Sequence, residues 1–131
     1  MLLGTSGPTT TADERSLHAR QVLLVKCLGE LICYASSKGY ELTLGEGYVQ
    51  HLRPAKDGVF YKDAVHMEDS LHYSRLAIDL NLFVNGRYVT DGNHFCWVDL
   101  GAFWEGLDPL CRSGRHFGDA NHLSITWENR A

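Results

Sequence analysis

The sequence has no long basic run, no CxxC pair, no internal repeat and no long apolar stretch. Each absence removes a class of function. Twelve Lys and Arg stand against sixteen Asp and Glu, for a formal net charge of −4. General nucleic-acid and anionic-membrane binders need clustered positive charge, so neither is expected. The longest strongly apolar run, Val22 to Val25, falls far short of the ~18–20 residues that cross a bilayer. No integral membrane segment is expected. Met1-Leu2-Leu3-Gly4-Thr5 has no basic n-region, and no apolar stretch of ~7–15 residues follows it. The expectation is synthesis in the cytoplasm without a Sec signal peptide. Cys27, Cys33, Cys96 and Cys111 are expected to be free buried thiols of a reducing compartment.

What is there describes one domain. The 131 residues are 44% apolar and 21% charged, which excludes a disordered chain. A chain of this length buries roughly two-thirds of its unfolded surface and can build a core without staples. Seven His is a high count and the first hint of metal or acid–base chemistry.

Residues 1–12 are rich in Gly, Ser, Thr and Pro and are expected to form a flexible arm ahead of a domain at 13–131. Leu17, Gln21, Leu24, Leu28, Leu31 and Ala35 recur at helical spacing. They predict an amphipathic helix of about 22 residues opened by Asp13-Glu14, with Gly39 as its stop. Tyr40 to Leu44 alternates as a strand. Residues 45–70 read as irregular. Arg75 to Phe83 is the clearest strand, with Leu76, Ile78, Leu80 and Leu82 on one face and Asp79 on the other. Asn85-Gly86 marks a hairpin returning through Arg87 to Val89. A short helix over Val98 to Gly106, a Gly-rich loop over Cys111 to Asn121 and a last strand over His122 to Glu128 complete the chain. This order predicts an α+β fold: a single domain with a small, mainly antiparallel sheet and flanking helices.

Strand parity puts Asp79 and His122 on the faces opposite their apolar stripes. His72 lies seven residues before Asp79, and Asp119 three before His122. Two imidazoles and one carboxylate suit a catalytic zinc, which keeps its fourth position for water. The water still needs a base, and a neighbouring carboxylate can serve. Each residue also has a plain structural role open to it, since an outer-face Asp is usually only solvated. His66 and His94 lack a partner at a convincing spacing. Trp97, Trp104 and Trp127 read as core or cleft wall, given the acidic balance.

Ser70-Leu71-His72, followed after six residues by Asp79, resembles the motif of the zinc D-Ala-D-Ala carboxypeptidase and L-alanyl-D-glutamate endopeptidase family. Asp119-Ala120-Asn121-His122 is similar to that family's second, C-terminal block. The resemblance spans roughly residues 15–128, and the two motifs stand in the right order. It implies the Hedgehog/DD-peptidase fold, shared with vancomycin-resistance dipeptidases and many phage endolysins. It further implies Zn²⁺ on His72, Asp79 and His122, with Asp119 as general base. The implied substrate is a peptidoglycan stem peptide. The implied site of action is the cell wall or periplasm, reached through a holin.

The chain departs from the family pattern at two places. Val49 stands where an Arg that binds the substrate is expected, and Arg53 is the nearby substitute. Ser113-Gly114-Arg115 replaces a Trp-Gly-Gly stretch. His116 could line the cleft. The missing Arg leaves a second reading open, a non-catalytic zinc-containing wall-binding module of the same fold. A hydrolase acting on a non-wall peptide is a third.

Overall fold

The Ser16 hydroxyl accepts the Ala19 amide N–H at 3.1 Å. That contact satisfies an orphan donor and starts the first helix. A computed structural model describes residues 13–47, 52–54, 60–62 and 71–128; the expected arm at 1–12 lies outside them. Helix α1 spans Leu17–Ser37 and buries Leu24, Cys27, Leu31 and Ala35. Asp13 and Glu14 stand outside the helix, against expectation, because Ser16 is the cap. The Asp13 carboxylate instead meets Arg15 at 2.6 Å. Arg15 in turn reaches both carboxylate oxygens of Asp108, at 3.0 and 2.8 Å. Buried Arg20 donates to three carbonyls, those of Asp13, Arg15 and Thr126, and stacks over Trp127. The two ends of the described fold are joined through this one guanidinium. Gly39 ends the helix in the left-handed region, φ +78°, which glycine adopts without steric cost.

Strand β1 is Glu41–Leu44. The segment expected to be irregular holds a two-stranded antiparallel ladder, β2 (Leu52–Pro54) and β3 (Phe60–Lys62). A single-turn 3₁₀ helix, Leu71–Ser74, leads into β4 (Ala77–Val84). β4 pairs with β5 (Arg87–Tyr88) through Asn85 and Gly86, both at positive φ, as a type I′ turn requires. Helix α2 spans Phe95–Leu107. It starts three residues earlier than expected because His94 Nδ1 caps it, accepting the Cys96 N–H. The loop expected over Cys111 to Asn121 contains β6 (Cys111–Ser113) and a 3₁₀ turn, Gly114–Phe117. The last strand, β7 (His122–Ile125), is shorter than expected.

The five-stranded sheet runs β1-β4-β7-β6, with β5 also on β4, and every pairing is antiparallel. The fold is α+β, as the element order predicts. Leu80, Leu82, Leu123 and Ile125 form one core cluster with Leu24, Leu31, Leu100 and Trp104. The Trp104 indole N–H donates to the Ser124 carbonyl, fixing α2 to β7. Parity therefore turns Asp79 away from the helix-covered face. No described helix is long and apolar enough to cross a membrane.

Candidate metal centre

Three elements deliver three side chains to one point. Asp79 and His122 are register partners on β4 and β7, so their separation is set by the strand ladder itself. His72 arrives from the 3₁₀ turn. Arg75 adopts φ +58°, its N–H donates to the His72 carbonyl, and the Leu76 N–H reaches back to the Leu71 carbonyl. This pair of bonds is a Schellman-type reversal, and it folds His72 over the start of β4.

His72 Nε2 and His122 Nδ1 each lie 3.3 Å from Asp79 Oδ1. The three ligand atoms all fall within 4.8 Å of one another. Tetrahedral ligands at ~2.0–2.1 Å from an ion stand ~3.3 Å apart. Asp79 Oδ1 is buried yet has no well-directed hydrogen bond among the described residues. Such convergence of two nitrogens on one oxygen suits a shared cation better than a hydrogen-bonded trio. His72 Nδ1–H donates to the Gly47 carbonyl at 2.7 Å, leaving Nε2 with the lone pair that a metal needs. Burial works to raise the Asp79 carboxyl, but contact with His122 and His72 holds it at about 2. Burial also works to lower His72, and the Asp79 carboxylate and Gly47 carbonyl outweigh it, raising the imidazole above its usual value. The group is suited to a divalent cation, and its N/N/O donor set is one that zinc accepts.

Asp119 is not one of the three converging residues. It is exposed and occupies the turn into β7. Its N–H donates to the Gly114 carbonyl and its own carbonyl accepts the His122 N–H at 3.0 Å. It lines a pocket of about 240 Å³ together with Asn81, Tyr88, Thr90, Trp97 and Asn121. His116 pairs with both Glu105 carboxylate oxygens, at 2.9 and 2.8 Å. That pairing gives it a structural partner rather than a place among the ligands. Arg53 falls on β2 opposite Tyr61; the expectation for its side chain lies outside the described residues, as do Val49 and His66. Trp97 and Trp104 are buried in the core, as expected.

Sequence reasoning missed the Gly45-Glu46-Gly47 backbone. Gly45 N–H donates to the Asp79 carbonyl and the Asp79 N–H to the Glu46 carbonyl, at 2.8 and 2.7 Å. A Cβ on Gly45 would stand 2.9 Å from the Asp79 carbonyl oxygen, which explains the glycine. The signal available was this Gly-x-Gly following a strand. The expectation for the thiols needs correction at one position: Cys33 is exposed, while Cys27, Cys96 and Cys111 are buried, and all four are free. Helical spacing places Cys33 nearly opposite the buried stripe. No family model and no curated protein matches the chain.

Proposed function

We propose that the chain is a zinc peptidase that hydrolyses peptide bonds of peptidoglycan stem peptides. The observation that carries this reading is the convergence of His72 Nε2, Asp79 Oδ1 and His122 Nδ1 on one point. The resemblance of the two motifs to the D-Ala-D-Ala carboxypeptidase and L-alanyl-D-glutamate endopeptidase family supplies the substrate class. His72, Asp79 and His122 would hold the ion. When bound, zinc supplies Lewis-acid activation of water and of the scissile carbonyl. Asp119 takes the proton from the attacking water and returns it to the leaving amine. Asp119 is exposed in the turn into β7, and its carbonyl accepts the His122 N–H, which keeps it next to a ligand-bearing position. Gly47 holds His72 in the ligating tautomer. The protein acts at the wall or in the periplasm.

Purified cell wall digested with the zinc-loaded protein should release new amine termini, read by mass spectrometry of the muropeptides. Chelator should abolish the release and zinc restore it. An unchanged muropeptide profile, with zinc bound, sinks the catalytic reading and leaves the zinc-containing wall-binding module.

A further inference from the structure

Cys27 and Cys111 meet in the core, 84 positions apart in sequence, with their sulfurs 3.6 Å from each other. Cys27 lies in the buried stripe of α1 and Cys111 opens β6. Both are almost fully buried, at 6% and 4% exposure. Cys111 is the register partner of Ile125 on β7, the strand that also carries His122. A bond between the two sulfurs would therefore clasp α1 and β6 around the metal-bearing strand. Neither thiol belongs to the metal centre, which among the described residues draws on the imidazoles of His72 and His122 and the Asp79 carboxylate.

We propose that Cys27 and Cys111 are a dithiol modification site that closes to an intramolecular disulfide when the protein meets a small-molecule disulfide oxidant. The sulfurs are already in contact, so closure moves them by ~1.5 Å to the ~2.05 Å of a disulfide. The reaction is two exchanges. One cysteine, as thiolate, attacks the oxidant and releases one small thiol. The other then attacks that mixed disulfide, releases the second small thiol and forms the Cys27–Cys111 bond. Two thiol protons leave and the oxidant is reduced to two thiols. Burial raises both cysteine pKa values and slows the first attack, so closure proceeds during folding or local opening. The bonded state belongs to oxidising surroundings and the dithiol to reducing ones. This holds whether or not the chain is a peptidase.

Exposed Cys33 gives the test an internal control. The full chain is refolded from denaturant in oxidised glutathione, trapped with an alkylating agent and mapped by mass spectrometry. The expected product has Cys27 and Cys111 in one cross-linked peptide pair, a loss of two hydrogens, glutathione on Cys33 and an alkylated Cys96. The cross-link should persist at glutathione ratios that strip Cys33 clean, and the oxidised chain should melt higher than Cys27→Ser. Alkylated Cys27 and Cys111 beside a glutathione-loaded Cys33 would overturn the proposal, because the oxidant was active and refolding removed any barrier of access. A cross-link involving Cys33 or Cys96 would overturn it equally.

Discussion

Asp79 and His122 stand directly opposite each other on neighbouring antiparallel strands, with Oδ1 and Nδ1 3.3 Å apart. Neither position can drift without breaking the ladder between β4 and β7. The ligand pair is thus as rigid as the sheet, and preorganisation is what a tight site needs. Asp79→Ala or His122→Ala should weaken zinc binding by more than ~100-fold, since partners one shell further out already cost 10–100-fold. Competition against a chromophoric chelator reads this. Wild-type affinity in either variant would remove that residue from the ligand set.

The metal-free and metal-bound proteins should respond to pH with opposite slopes. Burial pulls His72 down, but the Asp79 carboxylate and the Gly47 carbonyl prevail and raise it above its usual 6.5. A raised folded pKa lends stability that is fully present below 6.5 and disappears as pH climbs through the folded value. Asp79 is held at about 2 against 3.8. Its contribution is present above 3.8 and is lost as pH falls from there towards 2. The metal-free Tm should therefore fall as pH climbs from 6.5 through the raised folded value of His72. Bound zinc competes with protons for the imidazoles, so its stabilisation should grow over the same range. Melts in chelator and in zinc that run parallel would contradict the shared site.

Much of this arrangement was legible in the sequence, for a physical reason. Leu76, Ile78, Leu80 and Leu82 set the inner face of their strand, so the period of two sends Asp79 to the outer face. Asn85-Gly86 needs positive φ twice, and those residues announce it. The contributions of backbone groups were not legible. The Gly47 carbonyl that orients His72 belongs to no side chain, and the β2–β3 ladder is too short to show a period. Buried Arg20 was unreadable for a related reason. Its three partners are carbonyls brought together by both ends of the fold.

The turn that carries Asp119 is latched to α2 by one carboxylate. Glu105 accepts the buried Ser113 N–H at 2.8 Å and holds His116 on the same oxygens. Glu105→Ala orphans that amide and should cost about 1–3 kcal/mol. His116→Ala removes only a half-exposed partner and should cost less than about 1 kcal/mol. Denaturant unfolding of the two variants separates these effects. If His116 bound substrate, its variant would raise KM while leaving stability nearly intact. Equal destabilisation by both would show that the His116–Glu105 contact, rather than the Ser113 bond, holds the turn.

Asp119→Asn removes the proposed proton carrier and keeps its volume. Zinc affinity should stay within a few-fold of wild type, because Asp119 is not among the converging ligands. Turnover on muropeptides should drop by ~10²–10⁴-fold, the usual worth of general acid–base catalysis. Near-full activity in the variant would leave the attacking water to some other base.

Two glycines in one turn make opposite predictions for the metal. A Cβ on Gly114 would collide with the Asp119 carbonyl oxygen and stand 3.0 Å from His122 Cβ. The Gly114 carbonyl also accepts the Asp119 N–H at 2.8 Å. Gly114→Ala must therefore push the turn off β7, costing about 1–3 kcal/mol as overpacking does, and His122 moves with it. Gly118 has open space where a Cβ would go but sits at φ +78°. Gly118→Ala carries only left-handed strain, about 1–2 kcal/mol, with nothing pressed against a ligand. Both variants should lose stability by similar amounts, and only Gly114→Ala should lose zinc. Titration of each folded variant with zinc decides the point. Matching zinc affinities would mean that the turn's position has no hold on His122.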